Sequence, residues 1–283
     1  PVSPAKDANG NPTIDQCGAN NGRAAPTILE LAKAHGKAVG SITTTELTHA
    51  TPASTFSHMC DRDAGYQIAA QVVPGGAGYN MALKDGVDVL MGGGRHHFTP
   101  YDKAGNPKGR ADGRDLMAEF AAKGYAVATD RNGMLAAPAR RKFVGIFAKD
   151  THLDYDLTRR PEQPSLSEMT RKAIDLLSQD KDGFFLMVEG GKIDHALHGT
   201  NAKNALHDTV AMDDAVQAAV DKMRALDPGL ANTLIIVTAD HDHTLTFNGY
   251  AKRGNPILDI VRSYHDGQPA RDADGKTYTT LVF

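Results

Sequence analysis

The sequence has little cysteine, no excess of basic residues and no long apolar run, and each shortage excludes a class of protein. Two cysteines in 283 residues, Cys17 and Cys60, are too few for a disulfide scaffold or a zinc–cysteine site. The 31 basic and 34 acidic residues give a net charge of −3, which argues against a nucleic-acid binder. No apolar run approaches the ~18 residues of a transmembrane helix, so we expect no membrane span.

The composition is otherwise that of a folded globular protein, with 41% hydrophobic and 23% charged residues. Short apolar runs, which we interpret as strands, alternate along the chain with segments whose apolar residues recur at helical spacing. Because the apolar runs contain no alternating polar residues, both faces of each strand should be covered by other parts of the protein. This pattern predicts an α/β fold, a three-layer α/β/α sandwich around a mostly parallel central sheet. We expect one domain over residues 1–283, with a surface insertion at residues 92–142.

Local signals predict the individual elements. A first helix is expected from Pro26, because proline suits the first helical position. Another helix should begin after Ser165, where Glu168 completes a capping box. Further helices are predicted at 116–123 and 205–226. Strands are predicted at the apolar runs 39–45, 87–91, 125–129, 143–148, 184–188, 234–237 and 278–283.

Metal-ligating residue types follow the strands predicted at 184–188 and 234–237. Asp194 and His198 are four residues apart, so one helical turn places them on one face. Carboxylate and imidazole ligands of this kind suit zinc. The alternative interpretation is that these are ordinary polar residues in loops, and for a single histidine it is the better one. Two such segments, each directly after an apolar strand, favour a metal site.

The same two segments closely resemble the metal-binding motifs of the alkaline phosphatase family. They are residues 188–198, VEGGKIDHALH, and residues 237–243, VTADHDH. A third motif of the family resembles residues 48–53, THATPA, with Arg62 eleven residues after Thr51. The similarity runs from about residue 26 to residue 283.

The resemblance implies a phosphomonoesterase with two zinc ions and one magnesium ion. Asp194 and His198 are then ligands of the first zinc. Asp240 and His241, which directly follow the second strand, are ligands of the other zinc. A single carboxylate at Glu189 offers the harder oxygen ligand that magnesium prefers.

The resemblance also assigns the residues around these ions. Thr51 joins Glu189 as a magnesium ligand, and Arg62 holds the substrate phosphate, whose oxygens its planar fork can bind in pairs. His49 and His195 lie near the magnesium site, where histidine at both positions favours a third zinc instead. His243 orients a zinc ligand. Without the resemblance, we would interpret Thr51 as a helix-capping residue and Arg62 as a solvated charge.

Three parts of the family's site are missing from the sequence. The family's nucleophile is a serine directly after an aspartate, and none of the eight serines here follows one; Asp150-Thr151 and Asp208-Thr209 are the nearest imitations. An aspartate that bridges zinc and magnesium and a third zinc histidine are also missing, His265 being too early. We therefore expect a chain truncated at both ends and nearly inactive on its own.

The function implied by the resemblance is hydrolysis of phosphate monoesters through a phosphoserine, releasing inorganic phosphate. The parent protein would be a periplasmic or extracellular homodimer. One alternative is another member of the superfamily, such as a phosphodiesterase or a sulfatase. A second is an inactive metal-binding fragment. A Cys17–Cys60 disulfide would brace Arg62, and two unpaired thiols are the alternative to it.

Overall fold

A computed structural model describes residues 23–139 and 142–283. Within these residues the chain forms eight α-helices: α1 (Ile28–Ala34), α2 (Ala50–Phe56), α3 (Gly65–Gln71), α4 (Leu116–Ala122), α5 (Arg131–Ala136), α6 (Leu166–Leu177), α7 (Lys192–His198) and α8 (Ala202–Leu226). The strands are β1 (Ala38–Glu46), β2 (Val89–Gly93), β3 (Ala126–Ala128), β4 (Phe143–Ile146), β5 (Phe184–Glu189), β6 (Thr246–Phe247) and β7 (Leu281–Val282). Short 3-10 helices lie at Met81–Leu83, Arg95–His97 and Asp156–Thr158.

The central sheet has five described strands in the order β3-β4-β2-β1-β5, and every pairing in it is parallel. Strands β6 and β7 form a separate antiparallel pair. Because parallel neighbours need crossover connections, helices lie between the strands along the chain. The predicted α/β fold with a mostly parallel sheet is confirmed.

Alternate residues of the strands supply two apolar cores, one on each face of the sheet. Val39 of β1 and Leu90 of β2 pack with helices α1 to α4 on one face. Ile42 of β1 and Met91 of β2 pack with α6 and α8 on the other. The sheet therefore lies between two helical layers, and its carboxyl ends are left free for polar side chains.

Helix boundaries follow the capping residues. At α6 the expected capping box of Ser165 and Glu168 is present. Helix α1 begins at Ile28 and not at the expected Pro26, because Thr27 caps it and forms a capping box with Glu30. A hydroxyl that accepts the Glu30 backbone N–H fixes this helix start more strongly than a proline two residues earlier.

The strand expected at 234–237 is wrong. This segment has no regular structure, and Leu234 and Ile236 expose 84% and 75% of their surface. An apolar run becomes a strand only when a neighbour accepts its backbone hydrogen bonds, and no described strand lies beyond β5. At 278–283 the expected strand shortens to β7, which pairs with β6.

The segment 92–142, expected as a surface insertion, contributes to the sheet and to the core. It supplies β3, which pairs with β4, and the fully buried side chains of Phe98 and Phe120.

Cys60 is disulfide-bonded, and Cys17, its expected partner, lies outside the described residues. No helix in the described part of the chain has the length and apolar character to cross a membrane.

Candidate metal centre

The carboxyl ends of β1 and β5 hold the carboxylate of Glu189. Thr43 of β1 lies in register with Glu189 of β5, and its hydroxyl donates to Glu189 Oε2 at 2.5 Å. Thr45, on the same face of β1, donates to the same oxygen at 3.3 Å. Among residues 23–139 and 142–283 no hydrogen bond reaches Glu189 Oε1, so this oxygen can bind another group.

A glycine lets the chain turn from β5 into α7. A Cβ at Gly191 would lie 2.4 Å from Thr45 Cγ2 and 3.0 Å from Glu189 Cδ, both too close. The glycine therefore allows α7 to begin directly behind the Glu189 carboxylate, and α7 carries Asp194 and His198 on one face.

One carboxylate oxygen is the centre of the site. Asp194 Oδ1 lies 2.8 Å from His243 Nε2, 3.3 Å from His198 Nε2 and 3.6 Å from His241 Nε2. Asp240 Oδ2 lies 3.6 Å from His241 Nε2, so this imidazole stands between two carboxylates. The four expected zinc ligands are thus brought together with His243.

His243 is the least exposed of these three histidines, with 14% of its side chain exposed. Its hydrogen bond to Asp194 is the shortest contact in the group. Such a bond fixes the orientation of the carboxylate, as expected for a residue that orients a ligand. Asp194, His241 and His243 have ligand atoms all within 4.8 Å of one another.

Three further imidazoles lie beside this group. The ring centroids of His152 and His195 are 4.2 Å apart, and His49 is 5.4 Å from His152 and 5.3 Å from His195. Arg62 is exposed, and its Nη2 lies 3.3 Å from His49 Nε2. The arginine therefore contacts His49 and is open to an incoming anion.

Burial favours the neutral form of these three imidazoles. It lowers the pKa of His152 to about 3, with the nearby His195 adding to the effect, and the pKa of His195 to about 4, with Lys192 adding to it. Burial also lowers the pKa of His49, although the Glu189 carboxylate opposes it. Neutral imidazoles have the free lone pairs that a metal ion requires.

Of the expected ligands, Thr51 is the one whose position gives the least support for its role. It lies in the first turn of α2, and no hydrogen bond joins its hydroxyl to Glu189 in the described part of the chain. Sequence reasoning did not identify Thr43 and Thr45 as partners of Glu189. Their alternation on a strand next to Glu189 was the available signal.

The donor set fits divalent metal ions. Carboxylate oxygens and imidazole nitrogens surround Asp194, a combination that suits zinc. Glu189, whose partners are hydroxyl oxygens, offers the harder environment that suits magnesium. Buried His49 Nδ1 has no hydrogen-bond partner within the described residues. Because His49 Nε2 accepts from Arg62, this nitrogen carries the proton of the neutral ring and is left as an unpaired donor.

Comparisons with known proteins identify the family. The family model described as alkaline phosphatase matches residues 6–279. The tissue-nonspecific alkaline phosphatase of Gallus gallus is 36% identical over 96% of this chain and 54% of its own length. The alkaline phosphatase of Gadus morhua is 35% identical over 95% of this chain and 58% of its own length.

Solved structures give the same result. The Thermus thermophilus alkaline phosphatase matches with a TM-score of 0.59 and 40% identity, over 70% of this chain and 38% of its own. The alkaline phosphatase of the Antarctic bacterium TAB5 matches with a TM-score of 0.61 and 28% identity, over 80% and 59%. The chain spans about half the length of the curated relatives it matches. By its sequence and its fold, the chain belongs to the alkaline phosphatase family.

Proposed function

We propose that this chain carries the metal-binding and phosphate-binding part of a hydrolase of phosphate monoesters. The observation that supports the proposal is the convergence of three imidazoles on Asp194 Oδ1, together with the exposed Arg62, which contacts His49. A structural ion pair would not need three histidines on one carboxylate. A diesterase or sulfatase is less compatible with the pairing of Glu189 with Thr51 and Arg62 that the family resemblance assigns.

In this proposal Asp194 and His198 hold one zinc ion, and Asp240 and His241 hold a second. Glu189 and Thr51 hold a third ion, which is magnesium or zinc. A mutant of the TAB5 alkaline phosphatase, 25% identical to this chain, is described with magnesium bound in its M3 site. When bound, two such ions activate a nucleophile and stabilise a leaving oxygen.

The chain's own residues bind and orient the substrate. Arg62 donates two parallel hydrogen bonds to phosphate oxygens, which a lysine cannot do. His49, whose pKa is lowered by burial, contacts the guanidinium and carries no negative charge that would compete with the phosphate for it. His243 keeps Asp194 in one orientation. Together these residues would hold the phosphate next to the metal ligands.

The nucleophile is not supplied by an Asp-Ser pair within these 283 residues. We propose that hydrolysis proceeds through a phosphoserine whose serine lies outside this sequence. We further propose that the whole protein is a homodimer located in the periplasm or outside the cell. One relative, from Bombyx mori, is named a membrane-bound alkaline phosphatase. The competing function is that of a metal-binding fragment without catalysis.

Zinc and phosphate binding by the chain test the proposal directly. We expect calorimetry to show zinc binding whose affinity falls tenfold or more in Asp194→Asn. The control Asp182→Asn, at an exposed position, should leave the affinity unchanged. With zinc bound, inorganic phosphate should bind, and Arg62→Ala should weaken it where Arg171→Ala on α6 does not. Equal zinc affinity in Asp194→Asn and the parent chain would refute the metal centre.

Activity separates the remaining alternatives. The purified chain in excess zinc and magnesium is assayed with chromogenic phosphate monoester, phosphate diester and sulfate ester. We expect turnover far below that of a full-length relative, because losing a nucleophile costs ~10⁴–10⁶ in kcat in comparable hydrolases. Turnover within tenfold of that relative would exclude a nucleophile outside the chain. If the phosphate diester or the sulfate ester is cleaved faster than the monoester, the function is that of a phosphodiesterase or a sulfatase instead.

A further inference from the structure

A second group of metal-ligating side chains lies outside the centre at Asp194. Glu46, His96 and His97 have ligand atoms that all lie within 4.8 Å of one another. The two histidines follow the Gly-Gly-Gly-Arg segment at residues 92–95 and belong to neither carboxylate–histidine motif. The proposed phosphatase chemistry leaves all three side chains without a role.

The ends of β1 and β2 create this group. Glu46 ends β1 and lies in register with Gly93 of β2, and the 3-10 helix Arg95–His97 follows at once. Gly94 has φ of +79°, a left-handed conformation that favours glycine. A Cβ on Gly94 would lie 2.9 Å from Glu46 Cβ, so the glycine makes room for the glutamate beside the turn.

Side-chain contacts separate this group from the centre at Asp194. Thr45 and Glu46 are adjacent at the end of β1, where the pairing with β2 shifts register, so their contacts and not strand alternation show which group each belongs to. The Thr45 hydroxyl donates to Glu189 of the first centre. The Glu46 carboxylate instead lies 3.7 Å from His97 Nδ1.

The distances are compatible with one bound ion. Bonds of ~2.0–2.2 Å place the ligand atoms of a tetrahedral ion roughly 3.4 Å apart, close to the 3.7 Å between His97 Nδ1 and Glu46 Oε2. The far edge of the His97 ring fills the space next to Gly65, where a Cβ would lie 2.4 Å from Nε2. The ring is therefore held with Nδ1 facing Glu46.

His96 supplies the independent observation. Only 7% of this residue is exposed, and its buried Nδ1 has no hydrogen-bond partner in the described ranges. Its ring lies 3.9 Å from that of His97, centroid to centroid. An unsatisfied buried nitrogen costs roughly 1–3 kcal/mol, and a ligand that pairs with it removes that cost.

We propose that Glu46, His96 and His97 bind one divalent transition-metal ion, for which zinc is the best match, in a site distinct from the phosphatase centre. One carboxylate and two imidazoles leave room for a water ligand. The ion would replace the hydrogen bond of 2.7 Å between His97 Nδ1 and Thr48 Oγ1.

Elemental analysis of the zinc-saturated chain after gel filtration tests this site. Glu46→Gln, His96→Asn and His97→Asn should each lower the number of bound zinc ions by one. His35→Asn, at the exposed C-terminal end of α1, is the control and should leave the number unchanged. Far-ultraviolet circular dichroism identifies any variant that fails to fold, and Glu46→Gln then carries the comparison because it changes only one atom.

A second measurement uses the unmodified chain. Zinc is titrated while the imidazole ¹⁵N signals of the histidines are followed by NMR, with assignments from the single variants. We expect the ring nitrogens of His96 and His97 to shift and saturate together. The proposal is overturned if those signals do not move at saturating zinc, or if Glu46→Gln binds as many ions as the parent.

Discussion

Asp208 in α8 gives a prediction whose magnitude can be worked from the structure. Only 5% of this residue is exposed, and Asp208 Oδ2 accepts the Asp156 backbone N–H at 3.3 Å. Burial raises the pKa of Asp208 from 3.8 to about 6, although that hydrogen bond opposes the shift. The replacement Asp208→Asn keeps the shape and removes the ionisable proton.

The direction of the effect follows from where each state holds the proton. Below about pH 4 Asp208 is protonated in both the folded and the unfolded chain, and its contribution to stability is fully present. As the pH rises through about 6 the folded state must carry a buried charge, and the contribution is lost. A shift of about two units corresponds to at most ~3 kcal/mol, and we expect ~1–2 because water and Lys192 relax around the carboxylate.

The assay is urea unfolding of parent and variant at pH 4, 5, 6, 7 and 8, with a chelator present throughout. Asp208→Asn should be the more stable protein at pH 8, and its advantage should fall toward pH 4. Asp213→Asn, an exposed aspartate on the same helix, should show no such trend. An advantage that is independent of pH, or that grows on acidification, would refute the argument from burial.

Two further predictions concern the chain around β5. Gly191→Ala should cost ~1–3 kcal/mol of unfolding free energy, because its Cβ meets Thr45, and should weaken zinc binding; Gly199→Ala, whose nearest atom is 3.4 Å away, is the control, and equal losses in both would contradict the steric argument. Replacing exposed Leu234 and Ile236 by lysine should lower self-association in light scattering and leave stability unchanged, and a loss above ~1 kcal/mol would show that these side chains are packed.

The sheet was predictable because its strands declare themselves locally. Runs at 39–45, 143–148 and 184–188 became β1, β4 and β5, since an apolar run without polar alternation is buried on both faces. The same signal at 234–237 was misleading. Apolar character reports a demand for burial but does not say whether a neighbouring strand is present to accept the hydrogen bonds.

The candidate site was predictable to the extent that its spacing is local. Asp194 and His198 lie one helical turn apart, so their contact follows from the sequence. The contact between Asp194 and His243 joins residues 49 positions apart and depends on how the chain returns after α8. The group of Glu46, His96 and His97 was missed for the same reason, because β1 and β2 bring it together through their register.

The end of β1 imposes a constraint on the length of the chain. Thr45 serves one face of the sheet and Glu46 the other, so the order of these two residues decides which carboxylate stands where. From Ala38 to Thr43 the strand pairs with β5 without interruption, and deleting one residue there would exchange the two faces for the residues that follow, since side chains alternate with a period of two. Glu46 would then point toward Glu189 and place two negative charges together. Insertions and deletions should therefore be excluded between Ala38 and Thr43, although substitutions there that keep size and polarity are not.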